Sequence, residues 1–235
     1  MFKTAVQVHQ GWSYSNNVNL LAAGSSNPLV GSTGTGIYNG RNGIIKAVMN
    51  QGNGVRQLYT AQVPKYRHLA KRSLTTAPKA VKAKLTMPDI YLKRDYLDSY
   101  QTHVVDLLNS TNLRHEMCFT NSTLCCKFEL KWQALQLTTN TRYYQYRLGV
   151  YDGLRNEVAA ETNELKNCAV FSCIGPNIAD CGKQFTPDID VVFENITITT
   201  IMPQAEQYLI MPNSLKADLM PLPVDQFKWQ ESLTQ

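Results

Sequence analysis

Six cysteines constrain this chain more than any other feature. Cys118, Cys125, Cys126, Cys168, Cys173 and Cys181 all fall within one stretch of 64 residues, and none precedes position 118. An even, clustered set is the pattern of a disulfide framework formed in an oxidising compartment. The competing reading is a metal site. Four-cysteine zinc sites are usually built from paired CxxC knuckles, and no CxxC occurs here. The vicinal pair Cys125-Cys126 also suits a thiolate cage poorly. His103 and His115 lie close by in sequence, but isolated histidines are more often surface or core residues than ligands. Disulfides are therefore expected at all six positions, with no metal.

Three N-glycosylation sequons agree with export: Asn109-Ser-Thr, Asn121-Ser-Thr and Asn195-Ile-Thr, none of them broken by proline. The amino-terminal segment Met1-Phe-Lys-Thr-Ala-Val-Gln-Val-His-Gln10 is not a signal peptide, because it has no apolar stretch of the needed length. No apolar run is long enough for a membrane span, and the polar carboxyl end lacks the tail of a GPI signal. A secreted location combined with no export signal is the expectation for the downstream part of a longer protein.

The charge pattern argues against nucleic acid as a partner. Lys65, Arg67, Lys71, Arg72, Lys79, Lys82 and Lys84 form one basic stretch without an acid, and together they exceed the formal net charge of +5. The remainder of the chain is net negative, so this is a local basic segment and not a generally basic protein. Hydrophobic residues make up 43% of the 235 positions. That is enough for the core of one large domain, or of one domain plus part of another.

The spacing of Ala5, Val8, Trp12 and Tyr14 predicts a short helix over residues 4–17. Val18 to Gly24 reads as a strand. Gly36-Ile-Tyr38, an Asn39-Gly40 turn and Gly43 to Val48 read as a hairpin. The glycines of Gly31-Ser-Thr-Gly-Thr-Gly36 lack the Gly-Lys-Ser/Thr ending of a P-loop, so they are read as turn formers with no nucleotide cofactor. A further strand is expected at Leu58–Val63. The proline-containing basic stretch 64–88 reads as a linker. From Met87 onward the pattern is mostly β, with strands expected at Phe128–Trp132, Tyr143–Gly149, Ala169–Cys173, Asp190–Thr200 and Tyr208–Met211. The first of these alternates cleanly between Phe128, Leu130, Trp132 and Glu129, Lys131.

Several stretches together resemble the vanin/biotinidase family. They are His9-Gln-Gly-Trp12 with Val18-Asn-Leu-Leu-Ala-Ala23 and Gly34-Thr-Gly-Ile-Tyr38, then Cys118 with Leu124-Cys-Cys126. Leu148-Gly-Val-Tyr-Asp-Gly-Leu154 and the C-x4-C-x7-C spacing of Cys168, Cys173 and Cys181 complete the set. The resemblance implies an α+β, mostly β chain. Residues 1–63 would be the terminal fragment of a nitrilase αββα sandwich, 64–88 a basic linker, and 89–235 a disulfide-bonded antiparallel β-rich domain. One of the vicinal cysteines is expected to join its strand to the Cys118 loop, the other to reach the 168–181 segment.

Such enzymes hydrolyse linear amides such as pantetheine or biotinyl-lysine, using a cysteine nucleophile, a glutamate base and a lysine that stabilises the tetrahedral intermediate. In the family these residues lie upstream of the stretch matching His9 to Trp12, so no catalytic residue carries over. The implied partner of this chain is the missing amino-terminal nitrilase domain, with a small amide substrate only in the full-length form. His9 and Trp12 would border the pocket there, or simply pack the helix. The alternative reading is a secreted, non-catalytic structural or interaction module.

Overall fold

The computed structural model describes residues 4–65, 96–138, 140–156, 162–202 and 209–232. Two compact units emerge. One combines the amino-terminal segment up to residue 65 with residues 209–232, and the other spans residues 96–202. The carboxyl-terminal stretch thus groups with the amino-terminal elements and not with the β-rich unit that precedes it in sequence.

In the first unit, helix α1 (Ala5–Asn16) begins at a reciprocal cap. Thr4 Oγ1 accepts from the Gln7 backbone N–H at 3.2 Å, and Gln7 Oε1 accepts from Thr4 N–H at 3.0 Å. Asn17 ends the helix in the left-handed conformation, with φ of 50°. Val6, Gln7, Gln10 and Ser13 form its buried face. Three antiparallel strands follow, β1 (Asn19–Ala22), β2 (Thr35–Asn39) and β3 (Ile44–Val48), with β2 central. Ser13 Oγ ties helix to sheet, donating to Val18 O at 2.7 Å and accepting from Gly40 N–H at 3.1 Å. The tail packs on these elements: Gln10 Nε2 donates to Leu222 O at 2.8 Å, and the rings of Tyr14 and Phe227 lie 5.2 Å apart.

Two expected strands differ in the structure. Leu58–Val63 is irregular, and Leu58 is 87% exposed. Tyr59 and Val63 are only half-buried, and among the described residues no strand pairs with the segment. Of Tyr208–Met211, Tyr208 lies outside the described residues. Leu209 to Met211 are irregular, running into Pro212, whose carbonyl sits where a Cβ on Gly11 would be, 2.8 Å away. The segment lies against α1 at Gly11, where a side chain would block it.

The second unit is a sandwich of two antiparallel sheets. One has the order β4 (Gln101–Val104), β7 (Gln145–Asn156), β8 (Thr162–Cys173). The other runs β5 (Asn112–Cys118), β6 (Cys125–Trp132), β9 (Phe193–Thr200). The alternation of β6 fixes its inner face: Cys126, Phe128, Leu130 and Trp132 are buried while Lys127, Glu129 and Lys131 are exposed. They pack with Val105, Leu107 and Leu124 and with Leu148 and Val150 of β7 into one core. A second, smaller core lies on the other face of β7 and β8, where Leu97, Tyr100, Ala169, Phe171, Cys173 and Cys181 meet. A single α-helix among nine strands makes the described chain α+β and mostly β.

Candidate functional site

All six cysteines are bonded. Cys118–Cys125 closes the β5–β6 hairpin at directly opposed positions, Cys126–Cys168 crosses from β6 to β8, and Cys173–Cys181 fastens the segment after β8 back onto that strand. The neighbours Cys125 and Cys126 point to opposite faces because strand side chains alternate, so one stays within its sheet and the other reaches the opposing one. Glu116 lies beside Cys118 and Cys125 in an arrangement of metal-ligand spacing. Both sulfurs are committed to a disulfide, so no thiolate remains there to bind a cation.

The three sequon asparagines are exposed, in different settings. Asn109 follows β4 in a turn, its Nδ2 donating to Asp106 Oδ2 at 2.9 Å. Asn121 sits in the β5–β6 hairpin loop with a positive φ of 60°. Asn195 lies within β9, donating from Nδ2 to Thr197 Oγ1 at 3.0 Å.

His9 and Trp12 have different surroundings in this unit. His9 turns to the sheet, its ring edge-on to Tyr38 at 5.8 Å, whereas Trp12 is 41% exposed. Burial lowers the His9 imidazole below its ordinary value and pushes the Tyr38 phenol up. His9 Nδ1 and the Tyr38 hydroxyl are both buried without a hydrogen-bond partner among the described residues.

The same unit carries an open cleft of about 440 Å³. Gly24, Ser26, Thr35, Asn50, Arg56 and Tyr59 line its walls. Ser26 Oγ accepts from Val55 N–H at 2.9 Å and from Asn50 Nδ2 at 3.1 Å. A hydroxyl nucleophile needs a base within hydrogen-bond reach. No cysteine, histidine or carboxylate stands among the cleft's described lining residues. Through its described lining residues the cleft can hydrogen-bond a polar group and offer the Arg56 guanidinium.

Two polar constellations in the sandwich were not found by sequence reasoning. Asp152 and Lys166 face each other across β7 and β8 on the inner face, and Ser122 of the hairpin loop donates to the same carboxylate. Burial alone would raise Asp152, but the bonds from Lys166 and Ser122 outweigh it and hold the carboxyl below its usual range. The signal was an inward-facing Asp in the stretch Leu148–Leu154, readable only once the register with β8 is known. His103 of β4 and His115 of β5 stack at 4.0 Å, one from each sheet. Desolvation, then the neighbouring His115, lowers His103.

The vanin C-terminal domain family matches residues 90–235. The chain belongs to the vanin family. Over 98% of its length it is 40% identical to Vanin-like protein 1 of Drosophila melanogaster, and over 97% it is 43% identical to Vanin-like protein 2 of the same species. It covers 43% of each of those relatives. Vanin-like protein 3 is 29% identical over 92% of the chain. The family assignment extends through the first 89 residues by way of these relatives, since the domain match itself starts at residue 90. Among the described residues, no helix is long and apolar enough to cross a membrane.

Proposed function

We propose that this chain is the C-terminal portion of a secreted vanin-like amidohydrolase that cleaves linear amide C–N bonds, of the pantetheine or biotinyl-amide kind, and that the portion in hand lacks the catalytic Glu, Lys and Cys. The observation that carries the reading is the near-complete match of this chain to vanin-like proteins of which it spans only 43%. In this reading residues 1–63 end a nitrilase-type domain, 64–88 link it onward, and 89–235 form the vanin-type C-terminal domain. The exposure of Leu21 (72%), Leu29 (58%) and Val30 (66%) in the first unit supports it, because apolar surface of that kind is what the rest of such a domain would cover. Three disulfides and three exposed sequons support an extracellular, glycosylated product. The substrate pocket then belongs to the upstream domain, with His9 at its border at most.

A second reading, a non-catalytic secreted module, is favoured by one observation: no cysteine among the six is free to act as nucleophile. The two separate by assay. Secreted protein carrying the upstream sequence and, in parallel, the purified 235-residue chain are tested for release of amine from pantetheine and biotinyl-lysine. Turnover by the longer protein alone is the expected result. Turnover by the 235-residue chain, or none by either, overturns the proposal.

A further inference from the structure

Among the described residues, β9 pairs on one side only, with β6. An edge strand presents an unpaired row of backbone N–H and C=O groups, and proteins blunt such edges with lysine, proline, a bulge or a cover. β9 has little of this. Its sequence is Phe-Glu-Asn-Ile-Thr-Ile-Thr-Thr, and its one charge, Glu194, is paired to Lys131 at 2.7 Å. The register irregularity lies at its start, opposite Lys131 and Trp132, leaving residues 195–200 in regular register. Ile196 and Ile198 share the inner side with Leu130 and Phe128, yet are 45% and 39% exposed. A regular, β-branched, uncharged edge of this kind is a template for another strand.

Asn195 is the only sequon asparagine that lies in a strand, and it lies in this one. Asparagine and hydroxyl residue stand two apart, so both Asn195 and Thr197 occupy the outer face, exposed and bonded to each other. A glycan on Asn195 rises from the outer face of β9, at the start of its regular stretch. An incoming strand must settle about 4.8 Å from β9, within the volume a branched carbohydrate sweeps. The geometry points to Asn195 as an N-glycosylated position whose sugar shields the β9 edge and keeps a second copy of this chain from pairing with it. Asn109 and Asn121 sit in turns and have no such role. The inference rests on the secretory reading above.

The test uses protein secreted from glycosylating cells. Glycopeptide mass spectrometry measures occupancy at each sequon, and light scattering on the eluting protein measures its mass. The variants Asn195→Gln and Thr197→Ala are expected to raise the dimer-and-larger fraction several-fold, Asn109→Gln and Asn121→Gln to leave it unchanged. Adding Ile198→Lys to Asn195→Gln restores the monomer. To separate assembly from misfolding during secretion, the doubly substituted Asn109→Gln/Asn121→Gln protein is deglycosylated after purification and is expected to assemble. If Asn195 is occupied and its loss leaves the protein monomeric, the shielding role is wrong. An empty Asn195 beside occupied Asn109 or Asn121 overturns the inference but not the secretory reading. All three sequons empty overturns both.

Discussion

Cys126 of β6 and Cys168 of β8 join the two sheets of the sandwich through its core, with Cα atoms 5.8 Å apart and a separation of 42 in sequence. The bond closes a far longer loop than Cys118–Cys125, whose separation is 7. In the chain-entropy picture the longer loop gives about 4 kcal/mol and the shorter about 2.5 kcal/mol. Replacing Cys126 and Cys168 together by alanine is therefore expected to lower stability by about 3–5 kcal/mol, more than the Cys118→Ala/Cys125→Ala pair does. Denaturant unfolding of the two double variants checks the order. An equal loss would mean that native-state packing, not loop closure, sets the contribution.

His103, stacked on His115 between the two sheets, is expected to make the sandwich sensitive to acid. No carboxylate faces the stacked rings from the strands that hold them. Leu148 lies across from His103 and Phe128 across from His115. Arg114 and Glu116 lie on the outer face of β5, and the carboxylate of Asp106 is engaged with Asn109. Arg147 points to the other side, bonding Thr102 Oγ1 and Pro176 O. Burial holds His103 below the ordinary imidazole value of 6.5, so the unfolded chain takes up the proton more readily than the folded one. This contribution to stability is complete above that value and is lost as pH falls below it. The expected result is a lower melting temperature at pH 5 than at pH 7.5, with a smaller drop in His103→Gln. An identical drop in the variant would place the acid sensitivity elsewhere.

The Asp152–Lys166 pair is mostly buried, with side-chain exposures of 17% and 18%. Removing one partner strands the other in the sandwich interior. A fully buried pair broken this way costs about 3–5 kcal/mol, and residual solvent reduces that to about 1–3 kcal/mol here. Lys166→Met and Asp152→Leu should each destabilise, whereas the double variant Asp152→Leu/Lys166→Met should lose less than the sum of the two. The double-mutant cycle, read by thermal or denaturant unfolding, decides it; strict additivity would show that the two groups do not interact.

Where the sequence carried one strong local pattern, it could be read. The Phe128-Leu130-Trp132 alternation is β6, and Gly36 to Val48 is the β2–β3 hairpin. What escaped was set by tertiary context. Strand β5 alternates Leu113, His115 and Met117 against Asn112, Arg114 and Glu116. Its inward histidine makes sense only with His103 stacked on it from the other sheet. The four-residue β4 is too short to carry a periodic signal. Leu58–Val63 shows the opposite case, a run with apolar residues that pairs with no strand among the described residues. The polar constellations were invisible for a related reason: Asp152 and Lys166 are 14 residues apart and meet only through the β7–β8 register. The vicinal cysteines were more legible, because alternation alone sends them to opposite faces.

Gly149 tests the second core, on the far face of β7. Its register partner is Ala169, and a Cβ built on it would lie 2.6 Å from Phe171 Cε1 and 3.3 Å from Tyr100 Cδ1. Its backbone is ordinary strand, so the glycine is required by space and not by conformation. The Phe171 ring is itself held, edge-on to Tyr100 at 6.4 Å, with Tyr100 stacked on Tyr151 at 4.9 Å. The ring is buried in the cluster that includes Leu97 and Ala169. Gly149→Ala should therefore destabilise by about 1–3 kcal/mol, the range for overpacking a well-filled core. This is opposite in sign to the gain that Gly→Ala gives where space is free. Phe171→Leu alone should also destabilise, by leaving a gap. The combination Gly149→Ala/Phe171→Leu should be more stable than the two single losses predict, because the smaller side chain vacates the volume the new methyl takes. Additive losses in that cycle would mean that Gly149 is constrained by something other than Phe171, and the packing assigned to this face would have to be redrawn.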